Sequence, residues 1–196
     1  AGVILIVLSV ATLTATAATS AIAKGDRQLA ELKEQLEQPA IVPEIQEGGL
    51  WVTGDSVILG IRFELDNRQN IGLINARVGR QAPELLEVIE HDKVNMQDST
   101  IVLNLGNNNK LSEAQVAAIF AAIADQPKII VVNTAVPRGW RDENNALIAQ
   151  YATQYGAQLV DWAAISDGHP EYFGPDGVHL VPTGVRAYVD AITSKL

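Results

Sequence analysis

The chain has 196 residues, and its 23 acidic against 14 basic side chains leave a formal net charge of −9. With no basic stripe, that sign excludes nucleic acid and anionic lipid surfaces as natural partners. There is no cysteine, which rules out a thiol catalyst and a cysteine-ligated zinc and suits an exported domain without disulfides.

The first 23 residues, "AGVILIVLSVATLTATAATSAIA", carry no charge. As a helix rising 1.5 Å per residue they would be about 34 Å long, enough to cross a bilayer core. A cleaved signal peptide would begin with Met and a basic region, which are missing here. The expectation is therefore a transmembrane helix over 1–23, the last span of a larger membrane protein. Lys24, Arg27 and Lys33 follow it, and by the positive-inside rule they point weakly to a cytoplasmic C-terminal side, a bias that upstream helices can override. Residues 24–49 then read as a stalk helix with Leu29, Leu32 and Leu36 on one stripe, followed by a linker with two prolines and a glycine pair.

From Leu50 onward, apolar runs alternate with amphipathic segments. Strands are predicted at Leu50–Thr53, Ile71–Ala76, Thr100–Leu105, Lys128–Asn133 and Gln158–Asp161. Helices are predicted at Val57–Asn67, Pro83–His91, Ser112–Ala124, Asp142–Tyr155 and Thr183–Ser194, with Ser112 and Gln115 as a capping box. Strict alternation with short connections implies an α/β fold: a parallel, doubly wound sheet in a three-layer α/β/α sandwich over residues 50–196. The runs at 100–105 and 128–133 are nearly unbroken in apolar residues, as in strands covered on both faces. Ligands in such sheets bind outside the carboxyl ends of the strands. The loops "TGDS", "RVGRQ", "LGNNN" and "TAVPRGW" fall there.

Ser56 stands where the first strand gives way to a helix. Asp55 or Ser56 would serve as a helix cap, yet the same position suits a nucleophile whose oxyanion is stabilised by the helix N-terminus. Three histidines are available as base. His91 reads as a solvated helix end, and His169, before a proline, as structural. His179 lies in "GPDGVHLVP" with Asp176 three residues earlier, which allows the carboxylate to hold one imidazole nitrogen while the other faces outward. A serine at a strand-to-helix turn and Asp-x-x-His before the last helix are the parts of a Ser-His-Asp site. The α/β-hydrolase elbow would need glycine where Ile58 stands, and "GDSVILG" lacks the spacing of a dinucleotide loop.

Gly54-Asp55-Ser56, Gly79, Gly106-x-Asn108 and Asp176-x-x-His179 occur in the order of the SGNH, or GDSL-type, hydrolase superfamily, which residues 50–196 resemble. The resemblance implies Ser56 as nucleophile, Asp176 and His179 completing the triad, and an oxyanion site of Ser56 N–H, Gly79 N–H and the Asn108 side chain. The run Asn107-Asn108-Asn109 leaves the donor open between Asn107 and Asn108, with motif register favouring Asn108. Asn109 stands where the superfamily usually has Asp.

"NARVGRQ", "VNTAVPRGWRDENN" and "HPEYFGPDGVHL" resemble the extracytoplasmic domains of acyltransferase-3/SGNH fusion proteins, among them peptidoglycan O-acetyltransferases. That likeness implies transfer of acetyl through an acetyl-serine to a cell-wall glycan hydroxyl, C6 of N-acetylmuramic acid. The donor would be supplied by an upstream integral-membrane acyltransferase domain, with no cofactor and no metal, at the cell membrane with the catalytic domain outside. The alternative is an SGNH/GDSL esterase that hydrolyses acyl esters of a carbohydrate or lipid. Trp140, Tyr172 and Phe173 are candidates to stack on a sugar ring, with packing as loop anchors the alternative, and Arg138 and Arg80 are candidates to contact polymer carboxylates or to pair with nearby acids.

Overall fold

A computed structural model describes residues 49–196. The expected membrane helix over 1–23 and almost all of the stalk lie outside them. Among the described residues no helix is long and apolar enough to cross a membrane.

The strands are β1 (Leu50–Gly54), β2 (Ile71–Ala76), β3 (Thr100–Asn104), β4 (Lys128–Val132) and β5 (Gln158–Val160). The helices are α1 (Ser56–Asp66), α2 (Ala82–Asp92), α3 (Glu113–Ala122), α4 (Arg141–Gln154), the single turn α5 (Trp162–Ile165) and α6 (Pro182–Thr193). Short 3₁₀ turns occupy Lys93–Asn95 and Pro170–Tyr172. Every predicted strand and helix is present, with ends displaced by one or two residues. The α5 turn and the two 3₁₀ turns were not anticipated.

All strand pairings are parallel, in the order β2-β1-β3-β4-β5. Successive side chains of a strand point to opposite faces, and that rule divides the core in two. Trp51, Ile101, Leu103, Ile129 and Val131 join the cluster that receives Leu85, Ile89, Phe120 and Ile148 from α2, α3 and α4. Val52, Val102, Ile130 and Val132 join the other, with Ile58, Ile61 and Leu65 of α1, Trp162 of α5 and Tyr188 and Val189 of α6. Each fully buried aliphatic side chain contributes about 1.5–3 kcal/mol relative to exposure. The apolar runs of β3 and β4 thus serve both layers at once.

Helix starts follow local chemistry. Asp55 caps α1 by accepting from Val57 N–H at 2.9 Å. Ser112 and Gln115 form the expected reciprocal capping box on α3. From β1 the chain winds outward to β2, then crosses back to β3 on the other side of β1. The crevice at the carboxyl ends of β1 and β3 is therefore the topological switch point, where such sheets bind ligands.

Candidate active site

Ser56 is the first residue of α1, half-buried, directly after the Asp55 cap. The turn is tight. A Cβ on Gly54 would lie 2.7 Å from Ile58 Cγ1 and 3.0 Å from Asn104 Cβ, so only glycine lets β1 end this close to β3. The Ser56 N–H belongs to the first turn, whose amides have no partner within the helix.

His179 arrives from the loop between the Pro170–Tyr172 turn and α6. That loop is folded back by a bridge between Phe173 and Leu180, with Gly174 N–H donating to His179 O at 2.7 Å and Val181 N–H to Tyr172 O at 3.0 Å. Gly177 takes φ +68° at its tip, a conformation glycine adopts without penalty. Asp176 Oδ1 accepts the backbone N–H groups of Val178 at 2.9 Å and His179 at 3.0 Å. Its Oδ2 lies 2.6 Å from His179 Nδ1, and His179 Nε2 lies 3.0 Å from Ser56 Oγ.

With Nδ1–H donating to the carboxylate, Nε2 carries the lone pair that accepts the serine proton. The imidazole N–H, then the two backbone N–H groups, pull the Asp176 carboxyl down to about 2. Asp176 is therefore ionised at any physiological pH. The side chains of His179 and Asp176 are 55% and 52% exposed, so these two open to solvent beside the half-buried Ser56. Among the described residues no three His, Asp or Glu side chains converge as a metal site.

Behind the serine lies a buried polar chain. Asp55, 3% exposed, accepts Asn107 Nδ2 on Oδ1 at 3.2 Å and Asn108 Nδ2 on Oδ2 at 3.0 Å. Burial pushes its carboxyl up, while the donors from Val57 and Asn107 pull the other way. Asn107 is buried and also donates to Asn104 Oδ1 at 2.9 Å. Asn108 is partly exposed, and its second amide hydrogen goes to Arg80 O at 3.2 Å. Of the two asparagines left open by sequence, Asn108 is the one with access to the surface. Its amide is engaged in the free protein.

Gly79 sits exposed in the Arg77–Arg80 turn with φ +71°. The turn is fastened beside Ser56, because Arg77 N–H and Arg80 Nη1 both donate to Gly54 O, at 3.4 and 3.0 Å. Arg80 departs from its expected role. It is 8% exposed, and its guanidinium also binds Asn75 O at 2.6 Å and Asn75 Oδ1 at 2.8 Å. The side chain ties the ends of β1 and β2 together and has no free face for a polymer carboxylate.

Arg138 is exposed in the loop after β4, and Trp140 is half-buried at the start of α4. Tyr172 is committed to packing: its ring stacks on His169 with centroids 4.6 Å apart and on Trp162 at 5.9 Å. Phe173 packs on Trp162 at 6.1 Å. His91 is exposed at the end of α2 beside Asp92, and His169 pairs with Glu171 at 2.7 Å.

Two residues that sequence reading passed over hold the site loops. Asn144 of α4, fully buried, donates to Gly106 O at 3.0 Å and Asn109 O at 2.9 Å and accepts from Leu111 N–H at 2.8 Å. Its neighbour Asn145 accepts from Thr134 N–H at 3.0 Å and donates to Thr134 O at 2.8 Å. The only signal in the sequence was an Asn-Asn pair inside a helix, where asparagine is a poor helix former. Asn109 accepts from Ala82 N–H at 3.3 Å at the start of α2, an acceptor role that Asp fills equally.

No family model matches the chain. Among curated proteins it is 38% identical over 144 residues to peptidoglycan O-acetyltransferase OatA of Listeria monocytogenes, covering 73% of this chain and 23% of that protein. It is 33% identical over 165 residues to YrhL of Bacillus subtilis, covering 83% of this chain and 25% of that one. The chain thus spans about a quarter of the length of the curated relatives it matches. Among solved structures, the C-terminal catalytic domain of OatA from Streptococcus pneumoniae superimposes with a TM-score of 0.62 at 22% identity, covering 76% of this chain and 93% of that one. A lipolytic G-D-S-L family protein from Veillonella parvula gives 0.61 at 16% identity, covering 74% and 96%.

The described residues share the fold of these SGNH/GDSL-type structures. The chain's curated homologues include a named peptidoglycan O-acetyltransferase. In this fold the Gly54-Asp55-Ser56 turn, the Gly106–Leu111 loop and the Asp176–His179 loop meet on one edge of the sheet, joined by the contacts given above.

Proposed function

We propose that this domain is a serine-dependent O-acetyltransferase acting on an exported cell-wall glycan. The observation that carries the reading is the line Ser56 Oγ, His179 Nε2, His179 Nδ1, Asp176 Oδ2, with separations of 3.0 Å and 2.6 Å at its two hydrogen bonds. The similarity to a relative named peptidoglycan O-acetyltransferase supports the choice of acyl group and acceptor.

In the first step Ser56 Oγ attacks the acetyl carbonyl carbon while His179 Nε2 takes its proton. The carbonyl electron pair moves to oxygen, and the tetrahedral oxyanion is met by Ser56 N–H, Gly79 N–H and Asn108 Nδ2. Because Asn108 Nδ2 already has two acceptors, the oxyanion takes over the longer bond, that to Arg80 O. Collapse expels the donor's leaving group, which takes the proton from His179, and leaves acetyl-Ser56. In the second step a glycan hydroxyl, C6 of N-acetylmuramic acid in this reading, loses its proton to His179 and attacks the ester. The acetylated glycan leaves and the proton returns to Ser56.

Asp176 holds the imidazole in the productive tautomer throughout and stabilises its protonated form. The open surface around His179 and Asp176 suits a polymer, with Arg138 and Trp140 on the neighbouring β4 loop available to it. The same openness admits water, so acetyl ester hydrolysis accompanies transfer when no acceptor is bound. Residues 1–23 anchor the domain to the membrane, 24–49 form the stalk, and the site faces the extracytoplasmic side. The acetyl donor is delivered by an integral-membrane acyltransferase domain.

The experiment is to treat the chain with a sulfonyl fluoride and map the adduct by mass spectrometry. The expected result is a single adduct on Ser56 with loss of activity on an activated acetyl ester. An adduct elsewhere, or a fully active Ser56→Ala variant, overturns the assignment.

A further inference from the structure

We propose that Asn144, in a helix that contributes nothing to the triad, is a positioning residue that sets the height of the Asn108 amide and so the strength of the oxyanion site. The inference rests on the functional reading above and adds a residue to it. The loop from Gly106 to Leu111 has no regular structure of its own, yet it must present one amide to a charge that exists only in the transition state. Loops of this kind are positioned by a rigid scaffold, and here α4 grips the loop through a single side chain.

Asn144 grips the loop on both sides of Asn108: Gly106 O before it, Asn109 O and Leu111 N–H after it. Both amide hydrogens and the carbonyl are used, and the side chain is fully buried. Gly106 itself takes φ +98°, and a Cβ there would lie 3.1 Å from Asn144 Nδ2. The loop is therefore pressed against the asparagine as closely as a glycine permits. From the other side Asn108 is held by Asp55 and Arg80 O, so the amide is suspended between two fixed bodies. Remove the Asn144 clamp and the loop keeps its sequence and its glycine but loses three hydrogen bonds that fix its distance from α4.

A displacement of about 1 Å at a catalytic group can cost on the order of 10²-fold in rate. Asn144→Ala is accordingly expected to lose about 10- to 10²-fold in kcat on an activated acetyl ester with KM unchanged. The deciding readout is coupling. In an Asn108→Ala background, Asn144→Ala should cause no further loss, because the donor it positions is already gone. Asn144→Asp serves as the isosteric second variant: it retains the acceptor for Leu111 N–H but turns an acceptor toward two carbonyls, and it should lose kcat in the same way. Hydrogen exchange of the Leu111 amide in the unmodified chain supplies a measurement independent of folding of any variant, with strong protection expected.

The assay uses the whole 196-residue chain, with thermal melts to show that each variant is folded. Equal losses with and without Asn108 reduce Asn144 to a structural residue and overturn the inference, as does wild-type kcat in Asn144→Ala or an unprotected Leu111 amide. An unmodified chain with no esterase activity and no Ser56 adduct overturns the functional reading itself, a failure seen before any variant is made.

Discussion

At the scale of single residues the proposed mechanism separates groups that move protons from groups that hold charge. Asn108 belongs to the second kind. Loss of one oxyanion donor typically costs about 10²–10³ in kcat, so Asn108→Ala should show that loss with a nearly constant KM in steady-state assays. If Asn107→Ala shows it instead, the buried amide that binds Asn104 and Asp55 is the donor. Asp176 is held down at about 2 chiefly by the His179 N–H, with the Val178 and His179 backbone amides behind it. A carboxyl whose folded value is depressed contributes stability that is complete above its unfolded value of 3.8 and disappears as pH falls through about 2. Two results follow. The acid limb of the rate profile should not report Asp176, and acid titrations of the wild type and Asp176→Asn should converge only below about pH 4. A stability difference that persists unchanged to pH 2 would contradict the assignment. The side chain is half exposed, so solvent screening keeps the effect small.

At the scale of elements, most of the molecule was legible because period and punctuation agree. Val57, Ile58, Ile61 and Leu65 are the residues that α1 buries, as their spacing indicated, and β3 and β4 are apolar over Ile101–Leu103 and Ile129–Val132 because each feeds two cores. The α5 turn escaped because four residues cannot display a helical period, although Asp161 caps it by accepting from Ala164 N–H at 3.1 Å. That Ser56, His179 and Asp176 meet was anticipated from their motifs. The contacts of Arg80 and Asn144 were not, since both are buried polar residues whose partners are backbone atoms of distant loops, and no local pattern encodes those. Tyr172 read as a platform for a sugar because an aromatic ring in a loop looks free until its neighbours His169 and Trp162 are placed.

The join between the site loop and α6 depends on one residue. A Cβ on Gly184 would lie 2.1 Å from Tyr172 O and 2.8 Å from Tyr172 C, which are backbone atoms with little room to yield. Gly184→Ala should destabilise by about 1–3 kcal/mol, the usual range for overpacking, and lower the melting temperature. It should also reduce activity, because the displaced segment leads to Asp176 and His179. An unchanged melting temperature would show that the helix can shift to make room.

At the scale of the whole molecule, transfer and hydrolysis share one acyl-enzyme and differ in which hydroxyl attacks it. Water is always abundant, so transfer requires an acceptor held against the ester, and well-oriented groups reach effective molarities of about 10⁵ M or more. In the proposed reading, a site whose His179 and Asp176 are open to solvent at the carboxyl edge of a parallel sheet gives a polymer that access. The decisive measurement is acetate release and acetyl-glycan formation, followed side by side by mass spectrometry, when the chain is given an activated acetyl ester and a panel of glycan oligomers. The account predicts slow acetate release alone, diversion of acetyl to a sugar hydroxyl when a peptidoglycan oligomer is added, and loss of both in Ser56→Ala. Rapid removal of acetyl from acetylated glycans, with no acceptor ever acetylated, would contradict it and assign the site to hydrolysis.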